Sequence, residues 1–134
     1  MSDFNARIID EFRANAGKVG GPFEDGDLLL LHTTGARSGE ERVNPLAYAR
    51  QRDTYLVVGS AAGADRDPAW VHNVVAHPQV EAEVGTNTLA LTASVVRGPE
   101  RRRLYDKMID LMPGFAVYET QTTREIPVIV LTPR

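Results

Sequence analysis

The sequence predicts a small, mainly β domain with added helices, an antiparallel barrel of the α+β class, and three observations carry that prediction. Six short stretches have strand character, at 28–33, 42–50, 54–59, 80–84, 87–96 and 126–132, rich in Val, Leu, Thr and Tyr and parted by turn residues. Helical patterns occur only at the start and in two insertions, so strands and helices do not alternate as parallel βαβ units require. Neither G-x-G-x-x-G nor G-x-x-x-x-G-K-[ST] is present, which removes the dinucleotide and P-loop folds.

Each element has its own signal. Residues 2–16 open on Ser2 and Asp3 as capping candidates and place Phe4, Ile8, Ile9 and Phe12 at helical spacing, an amphipathic helix ending near Gly17. Its apolar stripe suits covering a sheet, with a membrane surface as the alternative. Gly20-Gly21-Pro22 then breaks the chain. Leu28 to Leu31 read as a buried strand, and the strand at 42–50 carries Pro45, which removes a ladder donor and marks an edge or a bulge. After 54–59, "DPAWVHNVVAHP" offers Asp67 as N-cap, Pro68 as the first helical residue and His77-Pro78 as the stop, a helix of about ten residues. Beyond the strands at 80–84 and 87–96, Gly98-Pro99 opens a helix with Leu104, Met108 and Leu111 on one stripe, flanked by Tyr105, Ile109 and Met112. No repeat, linker or low-complexity tract divides residues 1–134, which read as a single domain.

Composition narrows the function. The 134 residues are 43% hydrophobic and 25% charged, enough to build a core unaided, and the formal net charge of −3 argues against a general nucleic-acid binder. With no cysteine there is no disulfide framework and no thiolate chemistry, which fits a cytoplasmic setting. The N-terminus lacks an apolar signal core, and no run approaches the length of a membrane span. His32, His72 and His77 lack the spacing of a helical metal pair, and no metal site is expected. Ser60 has no G-x-S-x-G elbow, and Asp65 and Asp67 suit a loop and a cap better than an acid–base pair. A chain without a reactive side-chain set, yet with a ligand cradle, leaves the chemistry to a cofactor.

The cradle is the stretch "HTTGARSGEERVNPLAYAR". Period two along 42–50 puts Arg42, Asn44, Leu46 and Tyr48 on one face, with Arg42 and Asn44 roughly 7 Å apart along the strand. The preceding turn adds Arg37, the Ser38 hydroxyl and glycine-freed backbone amides, a set that suits phosphate or carboxylate oxygens. A plain hairpin with solvated arginines accounts for the same composition. In "VGSAAGADRDPAW" small residues leave room for a flat group beside the backbone, and the helix start at Pro68 offers unpaired amides. Trp70 and Asn73 share one helix face, although a lone Trp is more often core than cofactor contact.

Taken in order, "LLLLHTTGARSGEERVNPLAY", "YLVVGSAAGADRDPAWVHNVVAHPQVEAEVG" and "PVIVLTPR" resemble the deazaflavin-dependent nitroreductase family, found mainly in actinobacteria. The resemblance runs from about residue 3 to 134 and is most specific at T-T-G-x-R-S-G-x-x-R-x-x-P-L and D-P-x-W-x-x-N. It implies a split β-barrel related to the FMN-binding flavin reductases, holding coenzyme F420, a deazaflavin with a phosphate and a polyglutamate tail. By position, Ala36, Arg37 and Ser38 would meet the phosphate and tail and Arg42 the phosphate, while Val43, Asn44, Pro45, Leu46 and Ala47 would meet the ring system. Val58, Gly59, Ser60 and Ala61 would border the deazaflavin. Ala69, Trp70, Val71, His72 and Asn73 would close over it, and Phe115 would lie nearby. Met112, Phe115 and Tyr118 stand where the family shapes its substrate pocket with aromatics, and Ala36 stands where relatives often carry a second basic residue.

The reaction this resemblance implies is hydride transfer from reduced F420 to an electron-poor acceptor such as a quinone or nitro compound. Ser60 and Tyr118 are the candidate hydrogen-bond donors to the acceptor. An FMN-dependent reductase of the same fold and a non-catalytic deazaflavin carrier are the alternatives. The expected setting is the cytoplasm, with peripheral membrane contact through the first helix as a variant and the oligomeric state left open.

Overall fold

The computed structural model describes residues 3–20, 27–60 and 63–134. In chain order the elements are α1 (Asp3–Ala14), β1 (Leu28–Thr34), β2 (Glu41–Ala47), β3 (Ala49–Gln51), β4 (Thr54–Val58) and α2 (Ala69–Ala76). There follow β5 (Gln79–Val84), β6 (Asn87–Val96), α3 (Gly98–Leu111), α4 (Gly114–Thr120) and β7 (Val128–Pro133). The strands form one seven-stranded sheet in the order β2-β1-β5-β6-β7-β4-β3, every neighbouring pair antiparallel.

That order, with the chain's connectivity, forces the sheet to curl. β2 and β3 are its two outer strands, yet only Tyr48 separates them in sequence. Laid flat at about 4.8 Å per strand, the outer two would lie about 29 Å apart. A one-residue link reaches about 7 Å. The sheet therefore wraps into the split barrel that the resemblance implies.

Alternation then sorts side chains to two faces. Leu29, Leu31, Tyr55, Val57, Leu91, Ala93, Ile129 and Leu131 fill the barrel interior with Trp70, Val71 and Val74 of α2, which closes one side. Outside, Leu28 and Leu30 bury against Ile8, Ile9 and Phe12 of α1. Leu56, Val58 and Val128 bury against Leu104, Tyr105 and Met108 of α3. The stripe of α1 thus covers the sheet; the side chain of Phe4 lies outside the described residues.

Several details differ from the sequence reading. The strand expected at 42–50 is two strands, because the Tyr48 N–H bonds to the Asp27 carbonyl at 3.1 Å and the chain turns there from one sheet edge to the other. Asp67 does not cap α2: Pro68 occupies the N-cap, no side chain caps the helix, and the Asp67 carboxylate is engaged by Arg124 at 2.7 Å. On α3 the buried stripe is Arg101, Leu104, Tyr105 and Met108, while Leu111 is 59% exposed. α4 was not expected; it is seven residues long and buries none of them fully, so it leaves no periodic signal. Ser2 and the Gly21-Pro22 break lie outside the described residues.

Candidate functional site

β1 runs into the turn that the sequence singled out, and the turn is closed by its own backbone. The Gly35 N–H donates to the Glu40 carbonyl at 2.8 Å, and the Gly39 N–H to the Gly35 carbonyl at 3.0 Å. The Ser38 hydroxyl accepts from the Glu40 N–H at 3.2 Å. A Cβ at Gly35 would push the Ser38 hydroxyl out of its place against the Glu40 N–H. Gly39 is required by conformation, at φ +71°.

Asn73 ties this turn to α2. Its side-chain carbonyl accepts from the Ala36 N–H at 3.0 Å, and its amide donates to the Thr33 hydroxyl at 3.1 Å. Asn73 and Thr33 are both buried, so these bonds are made in a low-dielectric setting where losing one is costly. The two sequence motifs, far apart in the chain, meet through this one side chain.

Between turn and helix lies a cleft of about 690 Å³. The turn contributes Gly35, Ala36, Arg37 and Ser38, β2 contributes Arg42 and Asn44, and α2 with its approach contributes Pro68, Ala69, Trp70, His72 and Asn73. Arg42 holds the Glu40 carboxylate at 3.0 Å, an exposed pair. Arg37 has no ion pair among the described residues. Two guanidinium groups and the amino end of α2 therefore face one concavity, with no acidic side chain in the helix's first turn.

The other candidates lie elsewhere. Val43 and Ala47 face α1, Pro45 lies between them on the same face of β2 and pairs with Leu30, and Leu46 packs on the barrel interior. Val71 belongs to the interior and Val58 to the cluster under α3. Gly59 and Ser60 are buried at the end of β4, Gly59 so tightly that a Cβ would meet Val71 and Pro127 at under 3.0 Å. Phe115 and Tyr118 sit on α4, edge to face at 5.6 Å, against the outer cluster. Ala61 lies outside the described residues. Thr33 and Pro68, both within the two sequence motifs, take their places through the Asn73 bond and the cleft wall, whereas sequence reasoning did not single out Arg124, whose partner Asp67 is 57 positions away and which no local pattern flags.

Two further networks hold the frame. Arg102 grips Glu119 through two bonds, at 2.7 and 3.0 Å, and Asp106 at 2.6 Å, which docks α4 on α3. Beneath it the Tyr105 hydroxyl donates to the Phe115 carbonyl at 2.7 Å, and burial, with Glu119 nearby, pushes the Tyr105 phenol up to about 12. On the other side, Glu83 accepts two bonds from Arg13, at 3.1 and 2.8 Å, and lies 2.6 Å from the His32 ring. The Arg13 bonds, then the His32 contact, hold its carboxyl below the ordinary value. Among the described residues no group of three or more His, Cys, Asp or Glu is arranged to hold a metal ion.

Comparison with known proteins gives concordant matches. A family model described as F420H2-dependent quinone reductase matches residues 6–133. An F420H2-dependent quinone reductase of Mycobacterium tuberculosis strain H37Rv is 42% identical over 109 residues, 79% of this chain and 73% of that protein. Among solved structures, the F420-H2-dependent reductase FDR-A matches with a TM-score of 0.71 at 35% identity, over 78% of this chain and 92% of the other. A structure described as a domain-swapped dimer matches with a TM-score of 0.74 at 31% identity, over 94% and 96% of the two chains.

Proposed function

Because the chain belongs to the F420H2-dependent quinone reductase family, we propose that the cleft between the 35–39 turn and α2 seats the anionic end of coenzyme F420. The protein is an oxidoreductase with coenzyme F420 as its cofactor and a quinone-type molecule as its acceptor. The observation that supports this placement is the state of the two arginines. Arg42 already carries a carboxylate, Glu40, as a stand-in for a phosphate or glutamate oxygen, and Arg37 beside it is unpaired among the described residues. The donor set fits an anion.

Bound in its reduced form, the deazaflavin supplies the hydride. The chain's own residues bind and orient. Arg37 and Arg42 neutralise the anionic end, the Ser38 hydroxyl and the first amides of α2 add donors, and Asn73 holds turn and helix at a fixed separation. Fixing one end of the cofactor fixes its reach, and orientation of this kind lowers the barrier to transfer. Asn44 of β2, which lines the cleft, and the backbone at Gly59 and Ser60 would border the ring.

Ser60 and Tyr118 are the proposed donors to the acceptor, and separate kinetics distinguish that role from cofactor binding. Tyr118→Phe is expected to lower kcat about tenfold or more while leaving the F420 Kd unchanged, and Ser60→Ala to lower kcat by as much with a smaller change in Kd. Equal kcat in a folded variant removes that residue from the reaction.

No described helix is long and apolar enough to cross a membrane. Peripheral contact through α1 has little support, because Ile8, Ile9 and Phe12 are buried against β1. Titration with F420 of different tail lengths and with FMN, followed by mixing of the reduced cofactor and protein with menadione, tests the whole reading. Tighter binding of F420 than of FMN, with protein-dependent oxidation by menadione, is expected. Preference for FMN favours the flavin alternative, and binding without turnover favours a carrier.

A further inference from the structure

The segment between α4 and β7 sends one side chain, Arg124, back across the loop that joins β4 to α2. That side chain is 15% exposed and meets four acceptors. Its Nε donates to the Ala64 carbonyl at 2.9 Å, and Nη2 donates to the Gly59 and Ser60 carbonyls at 3.1 and 3.0 Å. Nη1 donates to the Asp67 carboxylate at 2.7 Å. A planar guanidinium with fixed donor directions suits such a divergent set, whereas an ammonium on the same stem acts as a point charge. Loop and segment touch a second time where Gly63, at φ +84°, has no room for a side chain beside Gln121.

The four acceptors span the loop from its first residue to its last. Gly59 directly follows β4, and Asp67 directly precedes Pro68, the N-cap of α2 and a wall of the cleft. At the other end of that wall, Asn73 is held by Thr33 and Ala36. We propose that Arg124 is a positioning residue for the cofactor cleft: by pinning both ends of the 59–67 loop it sets where α2 begins, and so the gap between Pro68 and the turn carrying Arg37. The claim about the loop stands on geometry alone, and the claim about the cofactor rests on the F420 reading. Its consequence is that the segment after α4 sets cofactor affinity without touching the cleft.

The test uses the full chain and the variants Arg124→Gln, Arg124→Lys and Asp67→Asn. Amide hydrogen exchange without ligand is read in residues 63–73, with β5 and β6 as the internal control. F420 Kd, and kcat with menadione at saturating cofactor, are read beside it. In Arg124→Gln the 63–73 amides are expected to exchange about tenfold faster or more, with β5 and β6 unchanged. The F420 Kd should rise about tenfold, and kcat should fall less than it does in Ser60→Ala, because the Ser60 hydroxyl itself is kept while its backbone loses the Arg124 bond. Arg124→Lys should recover only part of the affinity. Asp67→Asn should shift Kd in the same direction, and the double variant should bind less weakly than the two single losses added together, because both remove one ion pair.

A folded Arg124→Gln that binds F420 like the wild type overturns the proposal and leaves the F420 reading intact. Strict additivity of the two variants also overturns it. A wild type that fails to bind F420, while Arg124→Gln still loosens 63–73, overturns the F420 reading and leaves the loop pinning standing. If Arg124→Gln does not fold, Asp67→Asn decides by the same two readouts.

Discussion

Arg37 and Arg42 share the cleft but start from different states. Arg42 must release Glu40 before it can take a ligand oxygen, and both members of that pair are more than half exposed, so the release costs little. Glu40 is therefore a competitor for the cofactor. Glu40→Gln is expected to tighten F420 binding by about twofold to fivefold at low salt, an effect that fades at high salt. Weaker binding in a titration of that variant would mean that the carboxylate supports the site. Arg37→Ala should weaken binding less than Arg42→Ala, since a tail lying in water is screened. The local chemistry of this turn was legible because arginine, serine and glycine each carry it within a few positions. Arg124 was not, since a cation in a polar stretch declares its partners only when the chain folds.

At the scale of elements, α2 and the 35–39 turn act as one unit through Asn73. Asn73→Ala leaves the Ala36 N–H and the Thr33 hydroxyl without their partner, and should cost about 1–3 kcal/mol of stability. A thermal melt together with an F420 titration checks it. Both stability and affinity should fall, and loss of stability alone would show that the turn keeps its shape unaided. The helix itself was readable from Pro68 and from His77-Pro78, because proline and the residues around it act locally. Its cap was misread, as Asp67 finds a stronger partner in Arg124 than in the helix amides. α4 is held by long-range contacts of Arg102 and Tyr105 rather than by a pattern of its own, and could not be read in advance.

For the molecule as a whole, the strand stretches and their alternation indicated an antiparallel barrel. The break at Tyr48, which lets the two outer strands follow each other in the chain, depends on a bond to Asp27 that no periodicity announces. Closure of the α1 side depends on Glu83, which joins α1 to β1 and β5 through Arg13 and His32. Its carboxyl is depressed in the folded state, so the stability it adds is present above the ordinary value of 4.5 and is lost as pH falls through the lower folded value. The melting temperature of the wild type should therefore drop more steeply than that of Glu83→Gln between about pH 5 and 3. Parallel curves would remove Glu83 from the acid response. We also propose that residues 1–134 unfold as one cooperative unit, which the same melts report as a single transition.

The most direct measurement is the dissociation constant of F420 for the wild type and for Arg42→Ala, each with long- and short-tailed cofactor. The account predicts that the wild type favours the longer tail and that Arg42→Ala, still folded, binds about tenfold more weakly or worse. An unchanged constant in Arg42→Ala, or affinity independent of the tail in the wild type, would contradict the placement of the cofactor's anionic end in this cleft.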